Sequence, residues 1–164
     1  MIRTVKIKLF LSLFTAVLFG LSLSAHANAQ AQKLKTAFDR GEAVQQPLYT
    51  NYKGVQLGMS AAEARAKLGT PALKDSDQDF YVFSENETAQ IGYDAAHKVT
   101  AISVDYVGGI GAPDYKAVVG TELVKSENGS LSRTVRYESL GFWVSYYRTN
   151  GMVATVTVTI QKIL

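Results

Sequence analysis

Apolar and polar residues follow a helical spacing in one short stretch of the chain, between residues 54 and 71. Ser60 and Glu63 stand three positions apart at its start, the spacing of a capping box. Gly69 and Pro71 mark its end, because glycine closes a last turn and proline cannot continue a helix. About two turns remain, too few for a helix that is stable alone. We therefore expect its small apolar stripe to pack closely against a sheet.

Other stretches are rich in β-branched and aromatic residues, some of them alternating with polar ones, and these patterns predict strands. The predicted strands span residues 80–83, 89–93, 99–106, 131–137, 142–148 and 153–161. A second short helix is predicted over residues 114–119, with Gly120 at its end. In the third strand, apolar and polar residues separate onto two faces. This pattern favours an antiparallel sheet that is covered on one face only.

The order helix, three strands, helix, three strands indicates an internal repeat. Gly69-Thr70 recurs as Gly120-Thr121, and Lys74 recurs as Lys125. In the last strand of each copy, Ile102, Val104 and Tyr106 align with Val156, Val158 and Ile160. The second copy has Gly111 where the first has Ser60. We therefore expect the second helix to be the weaker one and a Gly111→Ser change to stabilise it.

The predicted fold is α+β, with two tandem α-β-β-β repeats whose short helices pack on an antiparallel sheet. The expected divisions are a signal peptide over residues 1–29, an N-terminal arm or short helix over 30–53, a first repeat over 54–107 and a second, divergent repeat over 108–164.

The length of the hairpin loop at Asn150-Gly151 decides which aromatic side chains of the preceding strand are buried. A two-residue turn would bury Trp143, Ser145 and Tyr147. A three-residue loop buries Phe142, Val144 and Tyr146 instead, and it is preferred because it buries no serine. The other face then carries these residues: Trp143, Tyr147, Thr155, Thr157 and Thr159.

Exposed aromatic residues on a polar sheet are typical of protein interfaces. Trp143 and Tyr147, with Tyr137 from the neighbouring strand, form a candidate protein-binding patch. The alternative is that these three side chains are buried against the second helix or the N-terminal arm.

The first residues of the chain predict a secretory signal peptide, with cleavage placed after Ala29. Basic residues precede an apolar run from Leu9 to Leu23, and small residues follow it. A membrane-anchor helix is the alternative, but this run of 15 residues is shorter than the roughly 20 that a bilayer requires. We expect a periplasmic or secreted protein.

Charge and cysteine content narrow the choice of partner. The leader holds three of the 17 basic residues, so the remaining 14 balance the 14 acidic residues. A neutral mature chain gives no support to a nucleic-acid partner. The chain has no cysteine, so neither disulfides nor a lipid-modified cysteine are expected, and attachment to a membrane would require a partner.

Residues suited to catalysis or metal binding are scarce in this sequence. His97, the one histidine after the leader, lies in a predicted hairpin turn, where a solvated turn residue is expected. Asp75, Asp77 and Asp79 have the spacing that opens a calcium loop, but Phe80 and Asn86 replace its required glycine and glutamate. We interpret the segment as a solvated loop and expect no catalytic residues, cofactor or metal.

Several motifs of the first repeat resemble the SmpA/OmlA family of small outer-membrane assembly proteins, also called BamE-like. The resemblance lies in Gly58-Met59-Ser60, Glu63-Ala64-Arg65, Leu68-Gly69-Thr70-Pro71, Tyr81-Val82-Phe83, Ile91-Gly92-Tyr93-Asp94 and Lys98-Val99. The tandem arrangement is similar to the architecture of secreted β-lactamase-inhibitor proteins. The resemblance implies a non-enzymatic protein-binding module of the bacterial cell envelope, linked to outer-membrane protein assembly or envelope integrity. The alternative is a secreted inhibitor of an extracellular or periplasmic hydrolase.

Overall fold

A computed structural model describes residues 46–163 of the chain. The predicted leader, its cleavage after Ala29 and the helical part of the arm lie outside the described residues. Within the described part, the chain runs through a helix and four strands, then a second helix and four more strands. No helix in this range is long and apolar enough to cross a membrane.

Two short α-helices and eight strands make up the described elements, with one turn of 3-10 helix between two of the strands. The first half contains α1 (Ala61–Leu68), β1 (Leu73–Lys74), β2 (Gln78–Val82), β3 (Glu87–Tyr93) and β4 (Val99–Val107). The second half contains α2 (Tyr115–Val119), β5 (Val124–Lys125), β6 (Leu131–Tyr137), the 3-10 turn (Glu138–Leu140), β7 (Phe142–Arg148) and β8 (Thr155–Lys162).

All eight strands form one antiparallel sheet in the order β1-β2-β3-β4-β8-β7-β6-β5. The order is symmetric about the centre, where β4 pairs with β8 and joins the two halves. In that pair Val104 lies directly opposite Val158, the residue with which the sequence alignment equates it. An approximate two-fold axis through this pair would exchange the halves. The arrangement is consistent with two repeats.

The predicted α+β fold with two α-β-β-β repeats is wrong, and the described chain is a mainly β structure. Its helices have only eight and five residues. Two strands were not predicted, β1 and β5, because each has two residues and shows no periodic pattern. Both are edge strands that contain a lysine, Lys74 and Lys125, and short charged edges discourage further strand pairing.

The capping box predicted for α1 is confirmed. The backbone N–H of Glu63 donates to Ser60 Oγ at 3.2 Å, and the N–H of Ser60 donates to Glu63 Oε2 at 2.7 Å. Gly69 ends the helix with φ +86° and ψ −157°, so the glycine is required but its conformation is not the left-handed helical one.

The second helix begins at Tyr115, one residue after its predicted start, but Gly111 does not stand at its cap as the repeat alignment predicted. Asp114 is the N-cap and accepts from the N–H of Lys116 at 2.8 Å. Gly111 lies in the preceding turn at φ +79°. A serine there would strain the backbone and would cap nothing, so the expected stabilisation by Gly111→Ser does not follow from the structure.

The loop between β7 and β8 has six residues, Thr149 to Ala154, rather than the predicted three. Tyr146 therefore pairs with Val158, and Val144 with Ile160. The predicted facing is nevertheless confirmed, because the register shift is an even number of residues and leaves every side chain on its predicted face. Val144 is 0 % exposed and Tyr146 is 7 % exposed.

One face of the sheet carries the core. Alternate residues of β2, β3, β4, β6, β7 and β8 are buried there, together with residues of both helices and of the segment before α1. From α1 these are Ala61 and Ala64, and from α2 they are Val118 and Val119. Small and β-branched side chains let such short helices lie near the sheet, so burial rather than helix propensity stabilises them.

Candidate functional site

The second face of the sheet, called the open face below, is the largest candidate surface. Every fully buried strand residue points to the opposite, core face, and none of the described strands buries a residue completely on the open face. The strand residues on the open face are Leu73, Gln78, Phe80, Val82, Thr88, Gln90, Gly92, Ala101, Ser103, Asp105, Val107, Val124, Ser132, Thr134, Arg136, Trp143, Ser145, Tyr147, Thr155, Thr157, Thr159 and Gln161.

The structure brings two of the three predicted patch residues to this face. Trp143 is half-buried and Tyr147 is 38 % exposed, both on β7 with Ser145 between them. Four residues along a strand place them about 13 Å apart. Tyr137 lies on the core face instead, where it is 4 % exposed and its ring packs against Phe142 at 5.2 Å. The structure therefore does not bring Tyr137 together with the other two.

Neutral hydrogen-bonding groups occupy the centre of the open face. Thr157 Oγ1 donates to Asp105 Oδ1 at 2.6 Å across the β4–β8 junction, and the Ser103 and Thr159 hydroxyl groups lie 3.1 Å apart. On β2 and β3, Gln90 donates to Gln78. These lateral contacts hold the side chains in place.

The two charged side chains on this face each have a partner. Asp105 accepts from Thr157, and Arg136 Nε donates to Glu138 Oε1 at 2.6 Å. Apolar groups lie at both sides of the polar centre, with Val82 57 % exposed towards one edge and Tyr147 towards the other. The open face is therefore weakly charged, polar at its centre and partly aromatic.

A buried ion pair lies on the core face of the first half. Asp79 is 0 % exposed, and Arg65 of α1 donates to it from Nε at 2.7 Å and from Nη2 at 2.9 Å. The hydroxyl of Tyr93 donates to Asp79 Oδ2 at 2.6 Å, and that of Tyr81 lies 3.5 Å from the same oxygen. Three residues, from α1, β2 and β3, thus converge on one carboxylate.

The charge of Asp79 is maintained by these donors. Burial alone raises the pKa of Asp79, but the hydrogen bonds from Arg65 and Tyr93 outweigh it, so the pKa lies below its ordinary value of 3.8. Hydrogen bonding to Asp79 raises the pKa of Arg65. Burial raises the pKa of Tyr81 to about 12 and also raises the pKa of Tyr93. The cluster is therefore an ion pair with neutral tyrosines at ordinary pH.

The solvated-loop interpretation of the segment 75–79 holds for Asp75 and Asp77, which are exposed, and is wrong for Asp79. Asp79 is the second residue of β2 and lies on the same face as Tyr81. Asp79 and Tyr81 are two positions apart in one strand, so their side chains lie on the same face. This spacing is the sequence signal that would have placed Asp79 in the core. The sequence does not predict Arg65 as its partner, because the contact depends on how α1 crosses the sheet.

The second half has no counterpart of this ion pair. Asp79 lies opposite Lys74 of β1, and Leu131 lies opposite Lys125 of β5, the residue that aligns with Lys74. Leu131, which is half-buried, therefore occupies the position of Asp79. Because an apolar residue stands at the matching position, the fold itself does not require a carboxylate there.

Residues 46–163 contain no group of three or more acidic, histidine or cysteine side chains placed to hold a metal ion. His97 lies in the β3–β4 turn at φ +53°, with its N–H donating to the Asp94 carbonyl at 2.8 Å. It is a turn residue, as the sequence predicted, and its ring is exposed.

The chain matches no protein-family model, and no curated protein or solved structure is significantly similar to it. The resemblance to the SmpA/OmlA family rests on the motif residues alone. In the structure most of these residues cap α1 or build the adjacent strands.

Proposed function

We propose that the protein is an exported, non-enzymatic protein-binding module of the bacterial cell envelope. The observation that carries the proposal is the open face, which presents Trp143 and Tyr147 beside ordered hydroxyl groups. Aromatic residues, tryptophan and tyrosine above all, are enriched at protein interfaces. The predicted signal peptide and the SmpA/OmlA motifs support an envelope location.

The partner that fits this surface is a folded protein with a neutral, hydrogen-bonding face. The strands of the open face carry one acidic and one basic side chain, Asp105 and Arg136, so there is little long-range attraction for a strongly charged partner. The central hydroxyl groups can exchange their lateral hydrogen bonds for contacts to the partner. Binding should therefore depend only weakly on salt concentration, unlike binding to nucleic acid.

The accessibility of Trp143, the one tryptophan of the chain, tests whether the open face is free in the whole protein. Trp143 fluorescence is measured in the isolated mature protein with acrylamide as quencher. We expect efficient quenching, and a blue shift with protection once an envelope extract is added. Fluorescence that is already blue-shifted and unquenched in the free protein would show that another part of the chain covers the face.

Affinity capture identifies the partner and tests the surface. Tagged wild-type protein and the Trp143→Ala and Tyr147→Ala variants are compared on one envelope extract, with bound proteins identified by mass spectrometry. We expect a partner that wild type retains and both variants lose. Met152→Ala is the control, because Met152 is fully exposed in the β7–β8 loop and does not belong to the strands that form the open face. Equal retention by all four proteins would contradict the proposal.

A secreted hydrolase inhibitor is a second candidate, favoured by the same β7–β8 loop. Met152 and Val153 are exposed there by 104 % and 67 %. The loop is braced, because Asn150 Nδ2 donates to the Asn128 carbonyl at 3.0 Å and the N–H of Thr155 donates to Thr149 Oγ1 at 2.7 Å. A braced apolar loop loses little entropy on entering a cleft.

Inhibition assays separate the two candidates. The mature protein is tested against a panel of periplasmic and secreted hydrolases, alongside Met152→Asp and Trp143→Ala. Inhibition that Met152→Asp abolishes and Trp143→Ala leaves intact would establish the inhibitor. No inhibition of any hydrolase, together with capture that depends on Trp143, would favour the binding module.

A further inference from the structure

A cleft on the first half of the molecule lies next to the buried ion pair and away from the open face. It has a volume of about 400 Å³ and is open to solvent. Arg65 of α1, Lys74 of β1, Asp75 and Ser76 of the following turn, and His97 of the β3–β4 turn line it. Three of these five residues carry basic nitrogen groups.

Arg65 is the fixed group of the cleft. Asp79 accepts from Nε and Nη2, which uses two of the five N–H groups of the guanidinium. The guanidinium also lies 5.7 Å from the ring centre of Tyr93. The Arg65 side chain remains 27 % exposed, so part of it faces the cleft. An arginine that is held in this way loses little entropy when it binds an anion.

The other lining residues stand on backbone that hydrogen bonds fix. In the β1–β2 turn, the N–H of Asp75 donates to the Gln78 carbonyl at 2.8 Å. In the β3–β4 turn, Asp94 Oδ1 accepts from the N–H groups of Ala96 and Lys98, at 3.0 and 2.9 Å. The carbonyl of His97 accepts from the N–H of Ala61 at 2.9 Å, which ties this turn to the start of α1.

Asp75 is the one acidic residue in the lining. Its Oδ1 accepts from the N–H of Ser76 at 2.6 Å and from Ser76 Oγ at 3.3 Å. The carboxylate therefore faces the backbone of the β1–β2 turn. It still contributes a negative charge that opposes a bound anion. The affinity of the cleft for an anion should consequently rise if that charge is removed and the acceptor oxygen is kept.

We propose that this cleft binds a small anion through a carboxylate or phosphate group, with Arg65 as the anchor and Lys74, Ser76 and His97 as further donors. Asp79 is then a positioning residue that holds Arg65. This role explains why the first half has a buried carboxylate where the second half has Leu131 at the matching position. A buried pair contributes little net stability compared with apolar packing, so the pair needs a reason beyond the fold. The proposal does not depend on protein binding by the open face.

The test is an NMR titration of the isotope-labelled mature protein with sodium acetate and, separately, with sodium phosphate, at constant pH and ionic strength. We expect saturable shifts of the Arg65 Nε–H signal and of the Ser76 and His97 amides with at least one anion. The anion that binds more tightly, acetate or phosphate, identifies the preferred group. No saturable shift with either anion would overturn the proposal.

Three variants make the test specific. Lys74→Ala should weaken binding about tenfold, the usual worth of a charge-assisted contact. Lys125→Ala should leave it unchanged, because Lys125 occupies the matching position of the opposite edge strand. Asp75→Asn should strengthen binding, since it keeps the Oδ1 acceptor and removes the charge. Equal effects of Lys74→Ala and Lys125→Ala, or weaker binding by Asp75→Asn, would contradict the assignment.

The double variant Arg65→Leu/Asp79→Val removes the anchor without leaving a buried charge unpaired. It should fold, as the amide spectrum will show, and it should lose the saturable shifts. Retention of anion binding by this variant would exclude Arg65 as the anchor. Capture of a protein partner through the open face should be unaffected, so failure of either proposal can be recognised separately.

Discussion

At the scale of single residues, the Arg65–Asp79 pair is the least ordinary feature of the core. Asp79 is fully buried, and its charge is balanced by two arginine N–H groups and a tyrosine hydroxyl. Removing one partner of such a pair costs several kcal/mol, about 3 to 5, because the other charge stays buried. Replacing both partners with apolar residues costs far less, and the second half has an apolar residue, Leu131, at the position that matches Asp79.

The pair makes stability depend on pH. The pKa of Asp79 is lower in the folded protein than its ordinary value of 3.8. The contribution of the charged Asp79 to the free energy of unfolding is therefore complete above the unfolded-state pKa. This contribution is lost as the pH falls through the folded-state pKa. We expect urea-unfolding free energies to drop more between about pH 6 and about pH 3 for wild type than for Arg65→Leu/Asp79→Val. If the unfolding free energies of the two proteins fell equally over this pH range, a charged Asp79 would be contradicted.

At the scale of elements, both helices are short, but their N-termini are capped differently. α1 has a reciprocal capping box between Ser60 and Glu63, whereas Asp114 alone caps α2. Neither helix is long enough to persist without the sheet. The caps therefore stabilise the folded protein by fixing where each helix starts, and Gly120, at φ +69°, closes α2 in the left-handed conformation.

Ser60→Ala should lower the unfolding free energy by about 1 kcal/mol, because the N–H of Glu63 loses its acceptor. Thermal melting followed by circular dichroism measures the effect. Ser76→Ala is a suitable control, since Ser76 is an exposed turn residue. A melting temperature of Ser60→Ala equal to that of wild type would show that the capping box does not stabilise the folded protein.

Gly111→Ser should also destabilise, by about 1 kcal/mol, because Gly111 has φ +79°. Gly151→Ser is the matched control, since Gly151 does not have a positive φ and an added Cβ there meets open space. The two variants are compared by thermal melting. A gain in melting temperature for Gly111→Ser would restore the sequence-based expectation that serine caps the second helix.

At the scale of the whole molecule, the β4–β8 junction makes one sheet from two four-stranded halves. The core residues of both halves form one continuous cluster along this sheet. Ile102 and Ile160 face each other at the junction, and each is 1 % exposed. With no separate core for either half, the described part of the chain should unfold as a single cooperative unit.

Ile102→Ala should cost about 2 to 5 kcal/mol through lost burial and the cavity it leaves. Urea unfolding is followed by Trp143 fluorescence, which reports the second half, and by amide signals of α1, which report the first. We expect the two midpoints to coincide in wild type and to shift together in the variant. A shift confined to the first half would show that the halves unfold independently.

Much of the local structure followed from the sequence. Ser60, Glu63 and Gly69 mark the ends of α1 through backbone hydrogen bonding that involves neighbours only, and alternation put Trp143 and Tyr147 on the face opposite Val144 and Tyr146. The bounds of β6 and β7 were also predicted correctly. In the candidate patch, the sequence could not place Tyr137, because its face depends on the register of β6 against β7.

The sequence by itself determined the caps, the alternation and most strands of this protein, because each depends on residues close together in the chain. The tertiary structure alone decided the fold class, the six-residue loop after β7 and the union of both halves in one sheet. It also decided that Arg65 meets Asp79 beside a cleft with Lys74 and His97. These groups come from α1, two turns and the edge of the sheet, and only long-range packing brings them together.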